Sequence, residues 1–489
     1  MRVSGSILLT VLAVLAPAGL LAQAAIPFTD TEAAPGREIY RMQVQPRASK
    51  SFLTLASNQA PFEGYGVGIT QRSSTLIMMN TNFVTSELSN PVTGEFEYEL
   101  ETIAAFRAGV DIENITYYVE FGGDYDVVLT IVNDNFVPAS VEFVLNKADG
   151  ESEEASRTIL STNQLSLNVS ELFVDDEGAG VLAIESSQPV FIQGQFEVDN
   201  GKGRTILAPA PVVFENQAAT EEMASRRILP YVKAGAGSFL RLILINTEQE
   251  TSTGLLEITG QEATPYSIEP GQSFVLNIPP DARAPLEGKA VVRAISGSAP
   301  HAFAIVAELT RDNSISSMFT VNSYQEGTLF WAPVNTKASA RHQGDIDATL
   351  YATNELDEAA TLYMVWFDGE GNSVGSYDHM INRGERVVLD LEEVFGQSPV
   401  QGILRLFADP GVSLTLLEST RTIMGRRVVM DIPLLTVPEG SKTRFIFPLF
   451  RQGQGAATEF LTINTDRSVQ EGSMRVLQPN GSPIATNLE

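Results

Sequence analysis

The sequence predicts an all-β protein of tandem β-sandwich domains arranged in a row. Three observations support this fold class: a strand-like segment ending in asparagine recurs four times, turn glycines follow it at a constant offset, and helix signals are nearly absent. A long, regular period built on alternating apolar residues is typical of repeated β-domains.

The recurring segment carries a bulky apolar residue four places before its final asparagine. Its copies are residues 127–133 (VVLTIVN), 240–246 (LRLILIN), 348–354 (ATLYATN) and 458–464 (TEFLTIN), and they end in Asn133, Asn246, Asn354 and Asn464. These asparagines are 113, 108 and 110 residues apart. An asparagine that ends a strand can hydrogen-bond the backbone of the next turn, so we predict a structural role for all four.

Turn glycines follow the asparagines. Gly150, Gly371 and Gly481 each come 17 residues after the asparagine of their repeat, whereas Gly260 comes 14 residues after Asn246. Glycine adopts the positive φ angles that hairpin turns require. The pattern predicts a hairpin in every repeat and a shorter one in the second.

The second half of each repeat also recurs, as an alternating strand, a turn and another apolar strand. The matching segments are residues 180–190, 288–300 and 402–412, with closing strands at 204–207, 316–321 and 427–435. About seven short strands in about 110 residues is the pattern of an immunoglobulin-like or fibronectin-like sandwich. Residues 170–173 and 391–395 lie at matching places and are predicted to form one helical turn each.

The N-terminus is predicted to be a signal peptide spanning residues 1–24. Arg2 precedes an apolar run at residues 7–21, and Ala22-Gln23-Ala24 supplies a cleavage pattern of small residues. The run is short for a membrane span, and no later stretch is long and apolar enough for one. We therefore expect an exported protein, located outside the cell, on its surface or in the periplasm, with no membrane span after cleavage.

The repeats divide the chain into six segments. After the signal peptide we predict an N-terminal β region at 25–113, three β-sandwich repeats at 114–216, 226–326 and 328–437, and an incomplete fourth repeat at 443–489. The N-terminal β region has two interpretations. Residues 51–66 resemble residues 180–195, which favours a half-repeat, while residues 75–80 resemble the leading segment, which favours a divergent small domain.

The fourth repeat has its opening strand, its recurring segment and its Gly481 turn before the sequence ends at Glu489. An open sandwich edge is a template for strand pairing. We expect either a truncated reading frame or self-association, in which the N-terminal region of the next copy completes the repeat head to tail. Closure within one chain is the less favoured geometry because three sandwiches intervene.

Composition limits the possible partners. Asp and Glu outnumber Lys and Arg by 60 to 32, which gives a formal charge of −28, so nucleic acid is not an expected partner. The chain has no cysteine, which excludes disulfides, thiolate metal sites and cysteine nucleophiles. A signal peptide, an acidic composition and no cysteine together are typical of bacterial exported proteins.

From about Ile115 to the C-terminus, the pattern resembles the tandem immunoglobulin-like repeats of exported bacterial surface proteins. The resemblance implies a stalk, adhesive or scaffolding role. It supplies no catalytic residue, and no sorting signal or hydrophobic C-terminal anchor accompanies it here.

No residue stands out as catalytic or cofactor-binding. His301, His342 and His379 lie far apart in the sequence, outside any zinc motif. Residues 371–375 match GxSxG but fall in a predicted hairpin turn, where a nucleophile elbow does not form. Residues 235–238 (GAGS) lead into a strand and lack the lysine of a phosphate loop.

Three functions remain open. The first is a non-catalytic structural, adhesive or scaffolding protein. The second is a set of carbohydrate- or calcium-dependent binding modules with a glycan or protein ligand, in which an exposed Trp331 or Trp366 stacks on a sugar and acidic turns hold Ca²⁺. The third is a secreted hydrolase with an unrecognised carboxylate pair. The acidic turn residues are Asp124, Asp126, Asp199, Asp368 and Glu370. We favour core positions for both tryptophans and solvated charges for the acidic turns.

Overall fold

The structure is a computed structural model that describes residues 39–53, 62–70, 76–89, 96–109, 111–173, 177–201, 204–214, 225–281, 285–323, 328–335, 346–396, 401–422, 425–437, 444–453 and 455–484. The predicted signal peptide and His342 lie outside these residues. Strands account for 71% of the described residues and helices for 2%, which confirms the all-β prediction. No helix of the described residues is long and apolar enough to cross a membrane.

Five strands precede the first complete repeat. They are β1 (Tyr40–Val44), β2 (Ser49–Leu53), β3 (Phe62–Thr70), β4 (Leu76–Ser89) and β5 (Phe96–Arg107). None of the five pairs with the repeat that follows them in sequence.

Sandwich 1 contains β6 to β13 and one 3-10 turn, Val169–Glu171. Its strands are β6 (Asp111–Phe121), β7 (Tyr125–Asn133), β8 (Ala139–Lys147), β9 (Ser152–Ile159), β10 (Asn163–Asn168), β11 (Gly178–Asp199), β12 (Thr205–Pro209) and β13 (Val212–Phe214). The long strand β11 joins the two sheets. Its first part pairs with β6 and β8, and its second part pairs with β7 and β12.

Sandwiches 2 and 3 each contain eight strands in two antiparallel sheets. Sandwich 2 consists of β14 (Arg226–Ala234), β15 (Ser238–Ile245), β16 (Ser252–Ile258), β17 (Thr264–Ile268), β18 (Ser273–Ile278), β19 (Leu286–Ser296), β20 (His301–Leu309) and β21 (Ile315–Asn322). Sandwich 3 consists of β22 (Leu329–Asn335), β23 (Ile346–Asn354), β24 (Ala360–Asp368), β25 (Ser373–Ile381), β26 (Arg386–Asp390), helix α1 (Leu391–Phe395), β27 (Gln401–Ala408), β28 (Val412–Arg421) and β29 (Arg427–Ile432).

The two sandwiches have the same strand order. One sheet contains the first, sixth, third and fourth strands (β14-β19-β16-β17 and β22-β27-β24-β25), and the other contains the fifth, second, seventh and eighth (β18-β15-β20-β21 and β26-β23-β28-β29). The recurring segment is always the second strand. Alternating apolar side chains from both sheets of each sandwich share one core, as the strand patterns predict.

Sandwich 4 is built from both ends of the described chain. The last three strands, β30 (Arg444–Gln452), β31 (Ala456–Asn464) and β32 (Gln470–Leu477), take the first three positions, and β1 to β5 take the remaining five. Its sheets, β30-β3-β32-β1 and β2-β31-β4-β5, have the same order as those of sandwiches 2 and 3. The N-terminal segment is therefore a half-repeat, and β4, which contains residues 76–80, takes the seventh position rather than that of the recurring segment.

This arrangement corrects the expectation that closure within one chain is disfavoured. The open edge of the C-terminal segment is filled by β3, β4 and the other N-terminal strands of the same molecule. The structural reason for head-to-tail self-association is thereby removed. Three intervening sandwiches do not prevent closure, because their arrangement brings the N-terminal and C-terminal strands together.

The four sandwiches form a closed ring, not the predicted row. Because β11 takes both the sixth and the seventh positions in sandwich 1, β12 takes the eighth. The strands at the eighth position contact one another in a cycle, in which β12 contacts β5 and β21, and β29 contacts β21 and β5. Apolar clusters cross the joints between sandwiches 1 and 2, 2 and 3, and 3 and 4, and smaller clusters cross the joint between 4 and 1. Buried contact at every joint makes the ring a single packed body.

Candidate functional site

The candidate site is a cavity where the four sandwiches meet, which we call the axial cavity. It has a volume of about 210 Å³, is partly open to solvent, and is lined by residues from all four sandwiches. Most of its lining comes from the ends of the eighth strands and the segments that follow them: residues 105–109, 209–212, 320, 322, 431–434 and 436. Each repeat thus contributes to the lining the segment that connects it to the next repeat.

The walls are mainly apolar. Phe106, Phe214 and Phe303 come from sandwiches 4, 1 and 2, and Ile432 and Leu434 come from sandwich 3. Prolines at 209, 211, 433 and 448 also line the cavity. Because proline has no N–H group, these four residues offer the cavity no backbone N–H donor.

Asp431 is the one carboxylate among the residues that line the axial cavity. Its neighbours on β29, Met430 and Ile432, belong to the core of sandwich 3, so strand alternation turns Asp431 to the opposite face. Burial raises the pKa of Asp431 well above its usual range. Its cross-strand partner Leu417 packs against sandwich 2, which places the carboxyl group at the joint.

Gln193 on β11 is the second polar residue of interest. Its side chain is 6% exposed, and neither Oε1 nor Nε2 has a hydrogen-bond partner among the described residues. Next to it, Gly194 leaves room for the ring of Tyr117, which a Cβ at that position would overlap. A buried amide without partners is unfavourable by about 1–3 kcal/mol unless a bound molecule satisfies it.

Arg107 lies where the cavity reaches solvent. Its side chain is exposed, and its guanidinium stacks on the ring of Phe214 with 4.6 Å between Cζ and the ring centroid. The cavity therefore has a cationic outer end and an acidic group within.

The recurrent asparagines are structural, as predicted. All four are fully buried, and each donates from Nδ2 to the carbonyl four residues later and to the last carbonyl of the fourth strand. The acceptors of the second bond are Ile159, Ile268, Ile381 and, across the chain ends, Val44, at 2.9–3.1 Å. The acceptors of the first are Val137, Glu250, Glu358 and Ser468, each at 2.8 Å. Each side chain clamps a turn to a strand end.

The other predicted candidates do not converge on a site. Trp331 and Trp366 are 3% and 1% exposed and lie in the core, so neither can stack on a sugar. His301 is buried on β20, which lowers its pKa to about 3, and His379 lies in sandwich 3 beside Tyr377. Residues 371–375 form the β24–β25 hairpin, and residues 235–238 form the turn before β15.

The acidic turn residues Asp126 and Asp368 take part in hydrogen bonds that fix the local structure. Asp126 accepts hydrogen bonds from Ser170, and Asp368 accepts from the backbone of Glu370 and Asn372. Across the described ranges, no group of three or more His, Asp or Glu side chains is placed to hold a metal ion.

Sequence reasoning missed the axial cavity. Its residues come from segments about 100 residues apart, and no local motif connects them. The available signal was the group of prolines at the links between repeats, around Pro209, Pro211 and Pro433.

No protein-family model and no curated protein matches the chain. Several solved structures resemble it weakly. A crystal structure of Thermotoga maritima 1070 is 17% identical and covers 22% of this chain and 98% of its own, with a TM-score of 0.20. The tandem CBM22 domains of Xyn10C from Paenibacillus barcinonensis are 9% identical and cover 86% and 99%, with a TM-score of 0.13.

A tetra-tandem repeat from the extending region of a large adhesion protein is 10% identical and covers 81% of this chain and 97% of its own, with a TM-score of 0.11. At these TM-scores none of the three similarities carries an argument about function.

Proposed function

We propose that this chain is an exported, non-catalytic protein with a structural, adhesive or scaffolding role, built from immunoglobulin-like sandwiches behind a cleaved signal peptide. The observation that carries the proposal is the closed ring. All four sandwiches are fixed to both neighbours through buried contacts, which favours a rigid platform over a flexible stalk.

The joints carry polar contacts as well as apolar ones. Glu101 of sandwich 4 is 2% exposed and pairs with Arg204 of sandwich 1 at 3.1 Å and Arg426 of sandwich 3 at 2.8 Å. Removing one partner of a buried ion pair is strongly unfavourable, so such contacts hold the ring to one geometry. A platform that keeps its surfaces in fixed positions suits a scaffolding role.

The test is expression of the full reading frame in a bacterial host, followed by fractionation and mass spectrometry. We expect the mature protein to begin at Ala25, to be recovered outside the cytoplasm and bound to the envelope, and to release no product from polysaccharide or peptide substrates. Recovery of unprocessed chain in the cytoplasm would contradict export. Turnover of a substrate would contradict the non-catalytic role.

Glycan binding is the second candidate, and one surface favours it. Phe407, Tyr363 and Asp378 are adjacent on strands β27, β24 and β25, and the two aromatic side chains are 41% and 40% exposed. Exposed aromatic rings beside a carboxylate can stack on a sugar and hydrogen-bond its hydroxyls.

A glycan array tests this candidate. It is probed with the wild type, the double variant Tyr363→Ala/Phe407→Ala and the control variant Leu160→Ala, which changes another exposed side chain. Glycan binding at this surface predicts signals that the double variant loses and Leu160→Ala keeps. Equal signals from all three proteins would place any glycan site elsewhere.

A further inference from the structure

The axial cavity combines three properties of a small-molecule site. It lies between four sandwiches, its walls are mostly apolar, and it contains the Asp431 carboxyl group and the buried Gln193 amide, which has no hydrogen-bond partner among the described residues. Ligand pockets in proteins commonly consist of apolar walls with a few polar groups that fix orientation.

The volume limits the size of the ligand. At about 210 Å³ the cavity is smaller than ordinary ligand pockets of about 300–1,000 Å³. An engineered apolar cavity of about 150 Å³ holds benzene. The axial cavity therefore fits one compact molecule slightly larger than benzene.

The chemistry of the lining selects the charge of the ligand. Asp431 is the one acidic group of the lining, and the four prolines of the lining contribute no backbone N–H donor. Thr415 lies on the same face of sandwich 3 and is 3% exposed. Arg107, the one cation of the lining, is engaged with Phe214 at the outer end.

We propose that the axial cavity binds a small organic cation, whose ammonium, amidinium or guanidinium group pairs with Asp431 and donates a hydrogen bond to Oε1 of Gln193. The apolar body of the ligand packs against the ring walls, which include Phe106, Phe303 and Ile432. The acidic protein as a whole, with a formal charge of −28, attracts such a ligand.

Proton linkage gives the site a recognisable signature. Burial raises the pKa of the Asp431 carboxyl and so favours its protonated form in the free protein. A bound cation stabilises the carboxylate, so binding releases a proton. The affinity therefore rises with pH until the carboxyl group of the free protein is ionised.

Benzamidine is a suitable probe because it is compact and cationic, and benzamide is its neutral counterpart of nearly the same shape. Isothermal titration calorimetry with the full chain, in two buffers of different ionisation enthalpy, measures affinity and proton release together. We expect benzamidine to bind at least about tenfold more tightly than benzamide, with release of a proton.

Asp431→Asn is expected to weaken benzamidine binding about tenfold or more and to abolish proton release. Gln193→Met should weaken binding severalfold. The matched control is Asp357→Asn in the same sandwich, which removes the same charge from a side chain that is 82% exposed and should leave binding unchanged. Circular dichroism checks that each variant is folded, and proton release by the wild type tests the site without any variant.

Three results would overturn the proposal: no benzamidine binding, equal binding of benzamide, or unchanged binding in Asp431→Asn. In those cases water alone satisfies Gln193. None of these results bears on the export or the scaffolding role, which the fractionation experiment tests separately.

Discussion

At the residue scale, one side chain performs the same task four times. The strand-end asparagine of each repeat is buried and uses its Nδ2 to join the following turn to the end of the fourth strand. Its Oδ1 accepts the backbone N–H two residues later, at 2.8–3.1 Å. Asn464 differs in one respect, since the strand end it holds, Val44, comes from the other end of the chain.

We predict that Asn464→Ala lowers the free energy of unfolding by about 1–3 kcal/mol, because buried carbonyls lose their donor. Asn354→Ala should cost about the same within sandwich 3, while exposed Asn372→Ala should change stability by less than about half a kcal/mol. Urea denaturation measures all three. If Asn464→Ala behaves like Asn372→Ala, the clamp between the chain ends does not exist in solution.

Glu459 on β31 gives a prediction about pH. Burial raises its pKa from 4.5 to about 7, and a hydrogen bond with Ser51 of β2 lowers it in part. Between these two values the folded protein holds a proton that the unfolded chain releases. This contribution to stability is therefore complete below about pH 4.5, falls as the pH rises, and is lost above about 7.

Glu459→Gln should remove this dependence. Its gain in unfolding free energy over the wild type should be larger at pH 8 than at pH 5, by on the order of 1–3 kcal/mol. Glu471→Gln is the control, since it changes an exposed carboxylate of the same sandwich. Urea denaturation at pH 5, 6, 7 and 8 measures the difference. Parallel stability curves for the wild type and Glu459→Gln would show that Glu459 is ionised in the folded protein.

At the element scale, two of the hairpin turns contact a neighbouring sandwich. Gly371, with φ +87°, lies so close to Pro46 of sandwich 4 that a Cβ would overlap its carbonyl oxygen, and Gly481, with φ +79°, approaches Thr162 of sandwich 1 in the same way. Gly150 has a similar φ of +89°, but nothing lies within 4 Å of its Cβ position.

This contrast separates backbone strain from contact between sandwiches. We predict that Gly150→Ala costs about 1–2 kcal/mol from its positive φ alone, and that Gly371→Ala costs about 1–3 kcal/mol more because the joint must also shift. Thermal denaturation of the two variants compares them directly. Equal losses would mean that the turn of sandwich 3 does not touch sandwich 4.

Strand content and the core of each repeat could be predicted from the sequence because both follow from local alternation. Leu129, Leu242, Leu350 and Phe460, identified from their spacing to the asparagines, are all fully buried. Helix α1 and the 3-10 turn at Val169–Glu171 lie close to the two predicted helical turns. Asp431 and Gln193 could not be identified, because their importance depends on which repeats meet at the axis.

At the scale of the whole molecule, the ring closes because both ends of the described chain lie within the same sandwich. The break falls between the third and fourth strands of one sandwich, so each end of the chain is an incomplete repeat whose missing strands lie at the other end. Neither half can close a core alone, since Tyr40, Met42 and Phe52 share one cluster with Phe447, Phe460 and Met474. The sequence period showed two incomplete ends but did not show that they fit each other.

A cysteine pair across the seam tests ring closure most directly, because the natural chain has no cysteine. Gln43 and Glu471 are partners in the β1–β32 pairing, and their side chains hydrogen-bond at 2.8 Å. Neighbouring strands bring Cα atoms to about 4.5–5.5 Å, within the range of a disulfide.

We predict that Gln43→Cys/Glu471→Cys forms a disulfide within one molecule on mild oxidation, at a rate that does not depend on protein concentration. The control Gln43→Cys/Glu262→Cys, whose second cysteine is at an exposed position of sandwich 2, should not form a disulfide within the molecule. Non-reducing electrophoresis and intact mass measure both. A product of twice the chain mass, or no disulfide at all, would contradict closure of the ring within a single chain.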